Sequence, residues 1–284
     1  MNLPESRIVR AVIRCGALAP LLAGTLSTSG CFFDFLTAEE FRLLIDETVL
    51  QGEVMGMENE VLEISTSFTI ADGVEAVIEE VRAFAESQVP CSTITVEDQT
   101  MTFDFGTLDD DCRYNGHTYA GVFSSRYEVQ GDSVLVTHSY DGFTNGSATL
   151  EGDVNVTWTS SQRQVQSDLV FSKENLMVAV QADRVQTLVD PSQGLAGGIE
   201  INGTREWQGQ SGDWRLGIDE VEVRGIDPVP QAGRYDLDTP FDGKTVSMSF
   251  DRQDEDTIRV LVESGSQSRK FDVTSTGRVT DQGE

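Results

Sequence analysis

The sequence predicts a mainly β protein: an antiparallel meander that forms a strongly curved sheet, barrel-like or sandwich, with two N-terminal helices packed on it. From Cys91 onward, apolar residues alternate with polar ones, as Met101, Phe103 and Phe105 do. This period of two is typical of strands with one buried face and one wet face. Turn-forming pairs such as Asn145-Gly146 separate about a dozen or more of these runs. So many strands rarely form one flat sheet, which is why we expect strong curvature.

Two helical patterns precede the strands. Thr37 and Glu40 form a capping box, which predicts that the first helix begins there. Apolar residues at helical spacing carry this helix to about Gly52 or, with a break around Gly56, to Glu60. The second helix has one continuous apolar stripe, which predicts that it docks on the sheet. The stripe consists of Val74, Val77, Ile78, Val81, Phe84 and Ala85.

The first thirty residues resemble a targeting segment. Three arginines within the first fourteen residues precede an uncharged, mostly apolar stretch, 15–26. This stretch fits the roughly 7–15 residues of a signal-peptide core and is shorter than the roughly 20 that a membrane-spanning helix needs. Small residues and then Cys31 follow in a pattern that resembles a lipobox, although Thr28 stands where that pattern prefers leucine. We therefore expect cleavage before Cys31 and lipidation of that cysteine; a conventional cleavage site is the alternative.

The cysteine count supports lipidation. The chain has four cysteines, of which Cys15 lies in the targeting segment. Cys91 and Cys112 sit at the edges of two strand-like runs and can form a disulfide, which requires an oxidising compartment. Cys31 is then the one cysteine of the mature chain without a partner, and lipidation explains it. A metal-binding thiol pair is the alternative, but no third and fourth ligands lie nearby in the sequence.

Acidic residues dominate the charge of the chain. The formal net charge is −28, which repels nucleic-acid phosphates and anionic lipid surfaces and so predicts no nucleic-acid partner. A lipid tether is then the expected link to a membrane, and a surface that binds cations or a cationic partner is an alternative. The expected parts are a lipoprotein signal peptide, 1–30; a tether and helical segment, 31–90; and an antiparallel β domain, 91–284, with a candidate sub-boundary near 227–233.

Six sequence blocks together span nearly the whole mature chain: 63–70, 91–96, 101–106, Cys112 with 115–119, 227–233 and 237–242. These blocks resemble an uncharacterised family of exported lipoproteins from deltaproteobacteria. The resemblance implies an exported, lipid-anchored, β-rich protein. It implies no catalytic residues, because no activity is assigned to that family.

Few residues carry recognisable chemistry. His117 and His138, the only two histidines, could bind a metal ion or act as a base, but histidines on strands are more often structural. The acidic clusters 109–111 and 251–256 could hold Ca²⁺, but neither has the spacing of a calcium loop. Aromatic side chains could line an apolar cavity, although core packing is the simpler explanation. They are Trp158, Trp207, Trp214, Tyr119, Tyr127 and Tyr140.

The leading functional prediction is a lipid-anchored cell-envelope lipoprotein, in the outer membrane, that acts as a non-enzymatic structural or interaction module. Its partners are then the membrane, through the anchor, and an envelope protein. The first alternative is a carrier that binds a lipid or other apolar ligand between the curved sheet and the helix at 74–85. The second is a hydrolase of unfamiliar design, which would need His117 or His138 beside a nucleophile or carboxylate in a cleft. No cofactor and no metal are expected.

Overall fold

The computed structural model describes residues 36–66, 74–159, 162–190, 197–224, 227 and 229–283. These residues fall within one compact unit, Asp34–Glu284. They form helix α1 (Ala38–Ser65), helix α2 (Val74–Gln88), one short 3-10 turn and fifteen strands. The strands are β1 Thr93–Glu97, β2 Thr100–Asp104, β3 Cys112–Tyr114, β4 His117–Gln130, β5 Ser133–Thr144, β6 Thr149–Trp158, β7 Gln162–Lys173, β8 Leu176–Leu188, β9 Ile199–Gly209, β10 Gly212–Val223, β11 Ala232–Asp238, β12 Thr245–Arg252, β13 Thr257–Ser264, β14 Gln267–Thr274 and β15 Val279–Gly283.

The strands form one antiparallel meander, as the alternating pattern predicts. Each strand pairs with its neighbours in sequence, except that β2 pairs directly with β4 and the short β3 pairs with β4 off the main path. The pairing of β10 with β11 carries the sheet past the predicted sub-boundary near 227–233. Because β1 and β15 each pair with a single neighbour, the sheet is open within the described residues. The mainly β class and the two N-terminal helices are confirmed.

One face of the sheet is buried and the other is wet. In β7, Val165, Ser167 and Leu169 are buried, while Gln166 and Asp168 between them are exposed. The same alternation runs through the neighbouring strands β6 and β8. We call the buried side the inner face. Both helices share one hydrophobic core with the inner face, and a second, smaller core lies farther along the sheet. That smaller core is formed by Phe250, Ile258, Val260 and Val273.

Helix α1 is longer than the sequence predicts. The capping box is present, since the Thr37 backbone N–H donates to the Glu40 carboxylate (2.6 Å) and the Glu40 N–H donates to the Thr37 hydroxyl (3.2 Å). The expected end near Gly52 or Glu60 is wrong, and so is the break at Gly56, because the helix continues unbroken to Ser65. Gly56 is exposed, and side chains on both sides of it are packed against the sheet, so tertiary contacts override its low helix propensity.

Helix α1 lies across the strands. Its side chains bond in turn to a lysine before β12, to β9, to β7 and β8, and finally to β4 and β5. A helix of 28 residues is about 42 Å long, which is enough to cross about nine strands spaced about 4.8 Å apart. Helix α2 contacts α1 and β4 with its apolar stripe, as predicted. The sequence also places Asp72 at the acidic start of this helix, a position outside the described residues.

Two glycines permit close backbone approach where strands bend. Gly152 in β6 and Gly203 in β9 have positive φ angles of 111° and 143°. A Cβ atom at these positions would lie 2.4 Å from the carbonyl oxygen of Asp168 and 2.1 Å from that of Asp183. Only glycine fits such contacts, and glycines within strands are typical devices for bending a sheet.

Candidate functional site

Polar and charged side chains are buried between α1 and the inner face. We call this set the buried polar layer. The residues from α1 lie on the same side as its apolar core residues, because Glu58 follows Val54 by four positions and precedes Val61 by three. Every member is less than 9 % exposed. The layer consists of Glu47, Gln51, Glu58 and Ser65 from α1 and Ser125, His138, Ser167, Arg184, Arg205 and Trp207 from the sheet.

The centre of the layer is an ion cluster around Glu58. Glu58 Oε1 accepts from Arg184 Nη2 and, at 2.5 Å, from Ser167 Oγ. Glu58 Oε2 accepts from Arg205 Nη1 at 3.4 Å. Arg205 Nε in turn donates to Gln51 Oε1 at 3.2 Å. The side chains of Glu58 and Arg205 are 0 % exposed and that of Arg184 is 2 % exposed, so these are charge-assisted bonds in a setting that excludes bulk water.

The charges in this cluster do not balance. Burial acts to raise the pKa of Glu58, but the neighbouring Arg184 and Arg205 guanidiniums hold it below its ordinary value. Burial lowers the pKa of Arg205 to about 10, which leaves it protonated at neutral pH. Two cations therefore face one carboxylate. Arg184 Nε and Arg205 Nη2 have no hydrogen-bond partner among the described residues.

His138 lies at the other end of the layer, against the last turn of α1. Its Nδ1 atom is 2.9 Å from Ser125 Oγ and 3.3 Å from Ser65 Oγ. Tyr127 donates its hydroxyl hydrogen to the Ser65 carbonyl at 2.8 Å. Burial lowers the pKa of His138 to about 3, so the imidazole is neutral at pH 7. A serine and a histidine in contact resemble a nucleophile and its base, but His138 and Ser125 are both 0 % exposed.

The N-terminal half of α1 borders an open pocket of about 300 Å³. The apolar lining consists of Leu43, Leu50 and Leu176, and the charged lining of Asp46, Glu47 and Lys173. Glu47 Oε1 accepts from Trp207 Nε1 at 2.8 Å. Burial raises the pKa of Glu47.

The predicted disulfide is present. Cys91 and Cys112 are joined, with their Cα atoms 5.4 Å apart, and they connect the segment before β1 to β3. The predicted lipidation residue, Cys31, and the signal peptide, 1–30, lie outside the described residues. Lipid anchoring therefore stays a prediction.

The two histidines do not come together. His138 pairs across the strands with Ser125, whereas His117 lies at the start of β4 and is exposed. Eight residues of β4 separate His117 from Ser125, which corresponds to about 26 Å along a strand. A shared metal site is therefore ruled out for this pair by its register.

The acidic clusters are engaged in local hydrogen bonds. Asp110 accepts from the backbone and the hydroxyl of Thr107, and Asp111 accepts from Arg113 and Thr118. In the described part of the chain, no group of three or more His, Cys, Asp and Glu side chains could hold a metal ion.

The predicted aromatic residues belong to the core. The rings of Trp207 and Trp214 are stacked, with centroids 6.0 Å apart. Tyr119, Tyr127 and Tyr140 lie in the same hydrophobic core. Trp158 is partly buried, and the Arg163 guanidinium lies 5.1 Å from the centre of its ring.

Sequence reasoning missed the ion cluster, although a signal for it was present. Arg184 occupies the inward position of β8, in step with Val178, Val180 and Ala182. A charged residue at an apolar position of the alternation requires a buried partner. That partner, Glu58, falls in the apolar stripe of α1 for the same reason.

Comparison with protein-family models, with curated proteins and with solved structures finds no match to this chain. The fold and the buried polar layer therefore stand on the chain's own geometry. Among the described residues, no helix is both long enough and apolar enough to cross a membrane.

Proposed function

We propose that this chain is an exported, lipid-anchored protein of the cell envelope, whose β domain is a non-enzymatic structural or interaction module. The observation that carries the proposal is the Cys91–Cys112 disulfide, because structural disulfides persist in oxidising compartments outside the cytoplasm. The disulfide uses two of the three cysteines that follow the targeting segment and leaves Cys31 for the lipid.

The buried polar layer supports a non-enzymatic role. Its reactive groups, above all His138 and Glu58, are fully buried and bonded to neighbouring side chains. General acid–base or nucleophilic catalysis requires such groups within hydrogen-bond reach of a substrate. We assign the layer to holding α1 on the sheet.

The anchor is tested by Cys31→Ser. Cells that express the native chain or the variant are fractionated, and the protein is followed by immunoblotting and intact mass. We expect the variant to leave the membrane fraction and to lose the mass of the attached lipid. Cys15→Ser, which changes only the targeting segment, is the matched control and should stay membrane-bound. Retention of Cys31→Ser in the membrane fraction would contradict lipid anchoring at this residue.

The disulfide is tested in protein isolated without reductant. Peptide mass spectrometry should recover Cys91 joined to Cys112; two free thiols would remove the observation on which the proposal rests. The double variant Cys91→Ala/Cys112→Ala should lose about 3 kcal/mol of unfolding free energy, the value of the chain-entropy model for a loop of this length.

The module role is tested by crosslinking intact cells and purifying the native protein with its neighbours. We expect envelope proteins at defined crosslinked positions on the exposed face of the sheet. The carrier alternative requires space beneath α2, but Val77, Val81 and Ala85 of that helix are packed into the core. Native mass spectrometry that finds a stoichiometric lipid would favour the carrier instead.

A further inference from the structure

The guanidinium groups of the ion cluster outnumber its carboxylates. Arg184 and Arg205 both bond to Glu58. Arg163, in β7, is close enough to interact electrostatically with Arg184 and Glu58. Burial lowers the pKa of Arg163 to about 10, so it too is cationic at neutral pH. Two buried positive charges thus face one buried negative charge, and the partly buried Arg163 adds a third cation nearby.

Among the described residues, Glu58 is the carboxylate that pairs with Arg184 and Arg205, whereas Glu47, the other carboxylate of the layer, accepts from Trp207. The charged groups that act on Arg205 are Glu58 and Arg184. Tyr140, which is buried beside the cluster, is influenced by the same two charges. His138 is influenced by Glu58 and is neutral. A buried charge without a counter-charge strongly destabilises a fold, and an arginine cannot relieve that destabilisation by losing its proton at neutral pH.

Hydrogen-bond donors are also left over. Arg184 Nε and Arg205 Nη2 are completely buried and find no acceptor among the described residues. The same holds for the Tyr140 hydroxyl. Each free guanidinium N–H belongs to a group that already bonds to Glu58, so spare donors and excess positive charge lie at the same place. Leaving buried donors of this kind unpaired destabilises a fold.

We propose that the buried polar layer binds a small monovalent anion of the halide class beside Arg184 and Arg205, as a structural counter-ion that secures α1 on the sheet. The anion accepts hydrogen bonds from the spare guanidinium N–H groups and balances one of the excess charges. A compact, weakly basic anion suits the interior, since it brings no polar groups of its own that would need partners. Chloride is the abundant member of this class.

The proposal is tested by thermal unfolding of the native protein in sodium chloride and in sodium gluconate at the same ionic strength. Gluconate is too large to enter the layer, so it controls for screening of the acidic surface. We expect chloride to raise Tm by about 3–5 °C for each tenfold increase above its Kd. Equal Tm values in the two salts at every concentration would overturn the proposal.

Arg205→Gln locates the effect. The substitution removes one excess cation, and the amide of the new glutamine can still donate to Gln51. The Tm of this variant should therefore lose most of its dependence on chloride. Arg215→Gln, on the exposed face of β10 with its side chain 57 % exposed, is the matched control and should keep the full dependence. Identical chloride dependence in both variants would show that the anion acts elsewhere and would overturn the proposal.

Crystals of the unmutated protein keep the test independent of variant folding. After exchange into sodium bromide, anomalous scattering should show a bromide peak beside the Arg184 and Arg205 guanidiniums. Bromide peaks confined to the protein surface would overturn the assignment.

Discussion

The two helices dock on the same sheet by different means. Helix α2 presents a continuous apolar stripe, of which Val77 and Val81 are almost completely buried. Helix α1 also buries apolar residues, but at intervals along its length it places Glu47, Gln51 and Glu58 against polar partners on the sheet. Apolar contacts are non-directional, whereas each buried polar side chain must meet one particular partner.

Helix α2 is therefore held on the sheet by the apolar area that it buries, whereas α1 is held by the positions of its polar groups. Sliding α2 along its own axis by one turn would replace one valine contact by another. The same slide of α1 would remove the Glu58 carboxylate from Arg184, Arg205 and Ser167. A buried polar network can therefore specify where a helix sits even when it adds little net stability.

Glu58→Gln should produce the largest effect. The variant removes the only carboxylate of the ion cluster and leaves two buried guanidiniums without a counter-charge, so the unfolding free energy should fall by about 3–5 kcal/mol. The measurement is urea unfolding at pH 7. Glu63→Gln, on the exposed side of α1, is the control and should change stability by less than about 0.5 kcal/mol. Similar losses of unfolding free energy in both variants would show that the ion cluster contributes no more to stability than the exposed side of α1.

The pH dependence of stability should sharpen the contrast. Burial lowers the pKa of His138 to about 3 in the folded chain, against about 6.5 in an unfolded one. The unfolded chain therefore binds the extra proton first, and the unfolding free energy falls as the pH drops from about 6.5 towards 3. The loss is on the order of 4 kcal/mol. In His138→Asn, the unfolding free energy should depend less on pH over this range. If the variant keeps the native pH dependence, other groups cause the loss.

Val81→Ala tests the apolar side of the comparison. Val81 is 0 % exposed in α2, and removing two buried methyl groups should cost about 2 kcal/mol. Because no charge is involved, this loss should be the same at low and high salt and at pH 5 and pH 8. A salt-dependent loss measured by urea unfolding would mean that α2 docking is coupled to the ion cluster.

The smallest effect is expected at the partly exposed start of α1. Lys244 Nζ bonds to both oxygens of Glu40 (2.8 and 2.9 Å), and the two side chains are 14 % and 20 % exposed. The hydrogen bond from Lys244 is the main reason that the pKa of Glu40 falls to about 2. A lowered carboxyl pKa stabilises the fold above about pH 4.5, and that contribution is lost as the pH falls towards 2.

Lys244→Met should therefore lower the unfolding free energy by less than about 1 kcal/mol at pH 7. The difference between the variant and the native chain should shrink below about pH 4, where Glu40 takes up its proton in the unfolded chain. A difference that stays constant down to pH 2 would show that lost packing of the lysine stem, rather than the ion pair, causes it.

The sequence allowed prediction of the features that rest on local periodicity. The period-two pattern predicted the meander, the stripe of α2 predicted its docking, and the Thr37–Glu40 box predicted where α1 begins. The number of cysteines and their positions at the edges of strand-like runs predicted the Cys91–Cys112 disulfide. Each of these depends on residues that are near one another in the chain.

The features that were missed depend on residues distant in the chain. Glu58 meets Arg184 across 126 positions and Arg205 across 147, and no local pattern records such a pairing. For the same reason local sequence predicts a break at Gly56, since the contacts that hold this part of the helix on the sheet come from β7, β8 and β9. An isolated arginine in an otherwise apolar alternation was the one local sign.

The meander and α1 make opposite demands on the order of folding. Every strand from β4 onward can pair with the strand made just before it, so the sheet can grow as the chain emerges N-terminus first. Helix α1 emerges before all of its partners, and Lys244 follows Glu40 by 204 positions. The polar residues that later hold α1 on the sheet also make the undocked helix more soluble. The same side chains therefore first limit aggregation of the unfinished fold and afterwards specify its final contacts.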